Sequence, residues 1–271
     1  MDKQAGKAAV FRELHARARP FLIPNPWDRG SALILESMGF EALATTSLGL
    51  ANMLGQEGVT LQQVLDNCRE ISEATQLPVN ADLENCFADD PREASKAIRL
   101  ACEYGAVGGS IEDSTGDKSK PIYDFNLAVE RVQASVEVAR SLPVPFMLTA
   151  RAENFLWGRR DMDDTIRRLQ AFEAAGADVL YAPGLHSLAE IRTVTSALKK
   201  PFNLVMGFAD PTITLDQLGQ AGVRRVSIGG GLSRVALKAF MDAARQMREG
   251  NFGFLTQMAS IAEVRKAFNR D

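Results

Sequence analysis

Asp82 and Glu84 close the stretch Pro-Val-Asn-Ala-Asp-Leu-Glu at 78–84, two residues apart at the end of an apolar run. In an extended strand that spacing points both side chains the same way. Two carboxylates at the mouth of an apolar strand are costly to bury unless a cation sits between them, so the pair reads as a divalent-metal site. Glu112 and Asp113 follow the apolar run 107–111, and Arg151 and Glu153 follow the run 146–150. Only two histidines occur, His15 and His186, so the available ligands are hard oxygens. Such a set selects Mg2+, or Mn2+, over Zn2+ or Cu2+. Magnesium keeps several waters, and one or two of Asp82, Glu84 and Glu112 suffice to bind it directly. The Arg151 fork suits a substrate carboxylate or phosphonate. Thr46, Ser47 and the backbone amides that follow, beginning with Leu48, form a candidate anion cradle. A 2-oxo acid on the metal, with Arg151 and these amides on its oxygens, would be stabilised as an enolate.

These residues need a scaffold that gathers strand ends. Short apolar runs near 21–24, 42–46, 78–82, 107–111, 146–150, 179–181, 202–205 and 225–228 alternate with amphipathic stretches. Thr60 reads as the cap of a helix carrying Val64, Leu65, Cys68 and Ile71, and Asp90-Pro91 reads as the start of the next. Ser47-Leu48-Gly49 reads as a turn, and helices are expected near 187–198, 214–221, 233–248 and 254–268. Eight strand–helix units without a composition break predict one (β/α)8 TIM-type barrel over 1–271, preceded by an extra helix. A doubly wound open sheet is the alternative, but it wants an early Gly-x-Gly-x-x-Gly turn that this chain lacks. In a parallel barrel the site lies at the carboxyl ends of the strands, which brings Trp27, Tyr181 and Asn203 into the substrate pocket. The Gly229-Gly230 turn reads either as a phosphate loop or as a plain tight turn.

A net charge of −3 argues against nucleic acid or an anionic membrane as partner. No apolar run is long enough for a membrane span, and no secretory leader is evident. Three widely spaced cysteines suit reduced thiols in the cytoplasm, with Cys68, Cys86 and Cys102 read as packing residues. His15 reads as a surface or packing residue. Trp157-Gly158-Arg159-Arg160 reads as an exposed turn serving a subunit contact or loop anchor.

Three segments, Pro-Val-Asn-Ala-Asp-Leu-Glu at 78–84, Ser-Ile-Glu-Asp-Ser at 110–114 and Thr-Ala-Arg-Ala-Glu-Asn-Phe at 149–155, resemble the phosphoenolpyruvate mutase/isocitrate lyase superfamily. Asn-Pro-Trp-Asp-Arg-Gly-Ser-Ala at 25–32 and Ala-Thr-Thr-Ser-Leu-Gly-Leu-Ala at 44–51 do too. The resemblance implies a barrel whose C-terminal helices, 232–271 here, are exchanged with a partner subunit in a homotetramer, a dimer of dimers. It implies Mg2+ at Asp82, Glu84 and Glu112, substrate contacts at Arg151, and the substrate carboxylate at Thr46, Ser47 and Leu48. Glu57 matches a further family acid. Isocitrate and methylisocitrate lyases of this superfamily carry a Lys-Lys-Cys-Gly-His loop after the fourth strand. Here Ser114–Tyr123 has neither cysteine nor histidine, although Lys118 and Lys120 are present, and Pro183 stands where the mutases have a histidine.

The expected function is therefore a Mg2+-dependent lyase or mutase acting on a small 2-oxo carboxylate, enol phosphate or phosphonate. Arg151 and Glu112 are the expected catalytic residues. An oxaloacetate-type hydrolase and a non-catalytic 2-oxo acid binding protein are the competing readings.

Overall fold

The computed structural model describes residues 2–268. Its strands are β1 (Phe21–Ile23), β2 (Leu43–Ala44), β3 (Val79–Ala81), β4 (Gly108–Glu112), β5 (Met147–Arg151), β6 (Val179–Tyr181), β7 (Phe202–Val205) and β8 (Val223–Ser227). All neighbours pair in parallel in the order β1-β8-β7-β6-β5-β4-β3-β2. The remaining seam is bridged where Ala44 N donates to Pro24 O at 3.1 Å. The result is the expected barrel, nearly closed, with helices between the strands.

The helices are α1 (Asp2–Ala16), α2 (Arg29–Ser37), α3 (Ser47–Leu54), α4 (Leu61–Ala74), α5 (Pro91–Glu103), α6 (Phe125–Ser141), α7 (Met162–Ala174), α8 (Leu188–Ser196), α9 (Leu215–Gln220), α10 (Gly231–Arg248) and α11 (Ile261–Phe268). Their starts are written in the sequence. Asp28, Thr60, Asp90, Ser187 and Thr214 accept hydrogen bonds from first-turn amides, and Pro91 supplies the preset φ of a first helical residue. Two expectations are corrected. The stretch after Thr46 is a helix, α3, because the Thr46 hydroxyl caps Gly49 N at 3.2 Å and Gly49 leaves room for it. A Cβ at Gly49 would stand 2.5 Å from Thr46 Cγ2. The stretch near 254–268 divides into a 3-10 turn, Gly253–Gln257, and α11.

Alternation along each strand builds two regions. Outward residues such as Ala81, Leu83, Ile111, Leu148, Ala150, Leu180 and Val226 join the core beneath the helices. Inward residues at the bottom of the barrel, Phe21 and Ile23, meet Ala8, Phe11 and Leu14 of α1, which plugs that end. Gly108 makes the plug possible, since a Cβ there would lie 2.8 Å from the Phe11 ring and 2.9 Å from Met147 O. With the bottom filled by apolar groups, the polar inward residues are left at the carboxyl end.

Candidate active site

A cavity of about 300 Å³ opens at that end. Its lining alternates with the core residues just named: Asn80, Asp82 and Glu84 beyond β3, Ser110 and Glu112 on β4, Arg151 and Glu153 at β5, Tyr181 on β6 and Asn203 on β7. Asp82 and Glu84 thus face the same side, with Leu83 buried between them. They do so although strand pairing stops at Ala81 and Glu84 has φ +50°. Cys86 and Phe87 are left-handed as well, at φ +60° and +58°. Side chains rarely adopt this conformation without support from their surroundings. Support comes from Arg131, buried on α6, whose guanidinium donates to Asn85 O at 2.5 Å, to Asp89 O at 2.6 Å and to Ala88 O.

Arg151 is the electrostatic centre. Its Nη1 lies 3.1 Å from Asp82 Oδ1 and 3.1 Å from Glu112 Oε2, and its Nη2 lies 2.8 Å from Glu153 Oε1. The ring of Tyr181 lies beneath the guanidinium, 4.8 Å from centroid to Cζ. Burial alone would lower the Arg151 pKa, but Glu112, Glu153, Tyr181 and Asp82 together hold it well above its ordinary value. Burial, then Glu153, Asp82 and Glu84, push Glu112 well above the usual carboxylate range, against the pull of Arg151. Burial and then Asp82 raise Glu84.

Three carboxylates therefore pair with one guanidinium, Glu84 stands beside them, and Glu153 Oε2 is buried without a partner. That excess of hard anionic oxygen fits a divalent cation. Among the described residues no three acidic, histidine or cysteine side chains already form a metal cage.

The cradle expected from Thr46 and Ser47 holds an anion already. Ser47 N and Ser47 Oγ each donate to Asp82 Oδ2 at 3.0 Å, and Thr45 Oγ1 accepts from Asp82 N at 2.8 Å. Thr46 and Leu48 line the same wall, Leu48 half exposed. Trp27 does not line the cavity: beyond the Pro26 bend its backbone bonds Ser31 and Asn67, and its side chain packs near α3. Asn25 of the same motif takes its place, with Oδ1 accepting from Ile228 N at 3.0 Å and Gly229 N at 2.8 Å. Those amides are thereby satisfied within the chain, so the glycine turn reads as a tight turn. Glu57 lies exposed, outside the lining.

Further residues come from outside the expected set. Trp157 is half-buried, lines the cavity, and its Nε1 donates to Ser114 Oγ at 3.2 Å, anchoring the start of the 114–122 loop. That loop closes on itself through a Ser114–Ile122 bridge, and Lys120 pairs with Asp124 at 2.9 Å rather than facing the acids. Asp113 turns away from the cavity to Arg168 at 3.1 Å, and burial raises its pKa to about 7. Burial likewise pushes the Cys86 thiol up to about 12, in keeping with packing rather than nucleophilic chemistry. Arg225 and Ser227 of β8 complete the far wall. One signal for them was available: of Arg224 and Arg225, side-chain alternation must send one into the barrel.

The phosphoenolpyruvate phosphomutase family model matches residues 11–248, and the chain belongs to that family, within the phosphoenolpyruvate mutase/isocitrate lyase superfamily. A Burkholderia cenocepacia J2315 protein provisionally assigned as a lyase/mutase has a crystal structure similar at a TM-score of 0.96. It is 51% identical, over 99% of this chain and 97% of that one. The 2-methylisocitrate lyase of Escherichia coli is 29% identical over 80% of this chain and 76% of its own length. The oxaloacetate decarboxylase of Ectopseudomonas mendocina is 27% identical over 89% and 84%. With family and site together, the chain is an enzyme of the lyase or mutase class.

Proposed function

We propose that this enzyme is Mg2+-dependent and breaks or rearranges a bond next to the oxo group of a small 2-oxo carboxylate. The observation that carries the reading is the convergence of Asp82, Glu112 and Glu153 on Arg151, with Glu84 beside them. Asp82, Glu84 and Glu112 are the residues that would hold the metal, directly or through water. A bound Mg2+ supplies Lewis-acid polarisation of the 2-oxo carboxylate. Arg151, fixed by Glu112 and Glu153 and seated on Tyr181, offers a rigid donor fork to charge developing on the substrate. The amide and hydroxyl of Ser47 hold the other side of Asp82 and set its orientation. Leu156, Trp157 and Phe208 give the cavity apolar walls that limit water.

Neither cysteine nor histidine occurs in the loop after β4, so the chemistry of the Lys-Lys-Cys-Gly-His lyases is not the reading favoured here. Decarboxylation, for which an oxaloacetate decarboxylase relative offers a precedent, needs no such residue to open the carbon–carbon bond. We further propose that the chain acts in the cytoplasm as a homotetramer through its C-terminal helices. The test of function is a 2-oxo acid panel with and without Mg2+. Oxaloacetate yielding pyruvate and carbon dioxide is the expected result, and Asp82→Ala should lower the rate by at least about a hundredfold. Oxalate and acetate as products would indicate hydrolysis instead. Full Mg2+-dependent activity in Asp82→Ala would overturn the reading.

A further inference from the structure

Arg225 sits midway along β8 and is 3% exposed, yet among the described residues no acid pairs with it. Its donors go to neutral groups. Nε reaches Asn203 Oδ1 at 2.8 Å, Nη2 reaches Thr149 Oγ1 at 2.9 Å, and Nη1 faces His15 Nε2 at 3.4 Å. Burial and the neighbouring Arg225 charge favour a neutral His15, and its contacts select one tautomer. Nδ1 lies 2.7 Å from Phe11 O, an acceptor, so the proton is on Nδ1 and Nε2 accepts from Arg225. The barrel therefore buries a cation without a counter-ion, an arrangement that costs several kcal/mol unless an anion comes near.

The same contact settles the orientation of Asn203. A guanidinium only donates, so the amide oxygen of Asn203 must face Arg225. Nδ2 then points the other way, toward Ser227 Oγ at 3.1 Å and the cavity that Asn203 lines. Asn203 is 2% exposed and one Nδ2 hydrogen is spent on Ser227, so the second N–H is what this wall has to offer a ligand, with the Arg225 charge behind it. In the strand order β7 stands four places from β3, so this wall lies across the barrel from Asp82. A ligand held at Asp82 and Arg151 and long enough to cross the cavity would have its far end toward Asn203.

We propose that Arg225 is a positioning residue that sets specificity: it locks Asn203 as a donor and tunes the far wall to an anionic tail. A substrate ending in a second carboxylate or a phosphonyl group is favoured over one ending in a methyl group. The proposal rests on the 2-oxo acid reading of the site. Its test measures binding to the full chain by calorimetry in the presence of Mg2+, with three ligands. Oxalate fills the Asp82 end alone, while 3,3-difluorooxaloacetate and phosphonopyruvate add a carboxylate or phosphonyl tail.

In Arg225→Met, oxalate should bind within about twofold of wild type. Affinity for at least one tailed ligand should fall about tenfold, the scale of one charge-assisted hydrogen bond. Arg225→Lys, which keeps the charge and loses the fork, should fall between. Asn203→Asp provides a variant of the same shape whose new carboxylate pairs with Arg225 and keeps the fold. It turns the wall from donor to anionic acceptor and should lose the tailed ligand about tenfold or more with oxalate retained. Which tailed ligand responds names the head group. Unchanged binding of all three ligands in Arg225→Met overturns the proposal, whatever Asn203→Asp does, as does an equal loss of oxalate, which marks a purely structural role. A wild-type chain that fails to bind oxalate with Mg2+ overturns the underlying reading of the site, and this proposal with it.

Discussion

His15 and Arg225 meet inside the barrel, where Arg225 Nη1 faces His15 Nε2 at 3.4 Å. His15 looks like a helix residue among charges, yet it stacks edge-on between Phe11 and Phe21 at 4.6 and 4.9 Å and is 5% exposed. Burial first and then the Arg225 charge lower its pKa from 6.5 to about 3. The folded state therefore resists a proton that the unfolded chain accepts. Between pH 6.5 and 3 the unfolded state binds more protons, so this residue's contribution to stability is intact above 6.5 and is lost as pH falls through that window. The loss approaches about 1.4 kcal/mol per pH unit. Urea denaturation at pH 7 and pH 5 should show a steeper loss for wild type than for His15→Gln. Equal slopes would count against a buried neutral imidazole. By contrast Asp82, Glu84, Glu112 and Arg151 were legible, because they are charges interrupting apolar runs at strand ends. Arg225 had only the alternation of Arg224 and Arg225 to mark it, because only the folded barrel supplies the neutral acceptors that let a strand bury a guanidinium.

At the scale of elements, turn chemistry separates what was read from what was missed. Thr60 and Asp90-Pro91 are strong start signals, and both cap helices as expected. Ser47-Leu48-Gly49 carried a glycine that suggests a turn, whereas there it is the small residue that lets α3 pack under Thr46. The left-handed run at Glu84, Cys86 and Phe87 had no local signal, since it is held from a distance by Arg131. The C-terminal helices present a different case. Leu237, Phe240, Met241 and Met247 lie at helical spacing on α10 and are all exposed, Phe240 to 70%. An apolar stripe of this size wants a partner. We propose that it forms the subunit interface, with the exchange of residues 232–271 as one way to build it. Light scattering should give a mass of about four chains for wild type and a smaller assembly for Phe240→Glu. A wild-type monomer of 29.5 kDa would refute the proposal.

Across the whole molecule, one end of the barrel is filled with apolar groups and the other gathers its charge. The barrel was legible because eight short strands alternate with amphipathic helices, and every strand end contributes to one rim. Which rim residues truly face the cavity was less so: Trp27 turns aside at Pro26 while Asn25 points in. The chain has a net charge of −3, yet the rim places one arginine among four carboxylates and a second arginine beneath the opposite wall. That polarity fits a metal at one end of a small anion and donors at the other. We propose that Asp82 belongs to a Mg2+ site that receives a 2-oxo acid. This assignment is tested most directly by titrating oxalate, a planar mimic of an enolate, into wild type and Asp82→Asn with and without Mg2+. Binding to wild type should require Mg2+, and Asp82→Asn should weaken it by at least about tenfold. Oxalate binding that is independent of Mg2+, or unchanged in Asp82→Asn, would contradict the assignment.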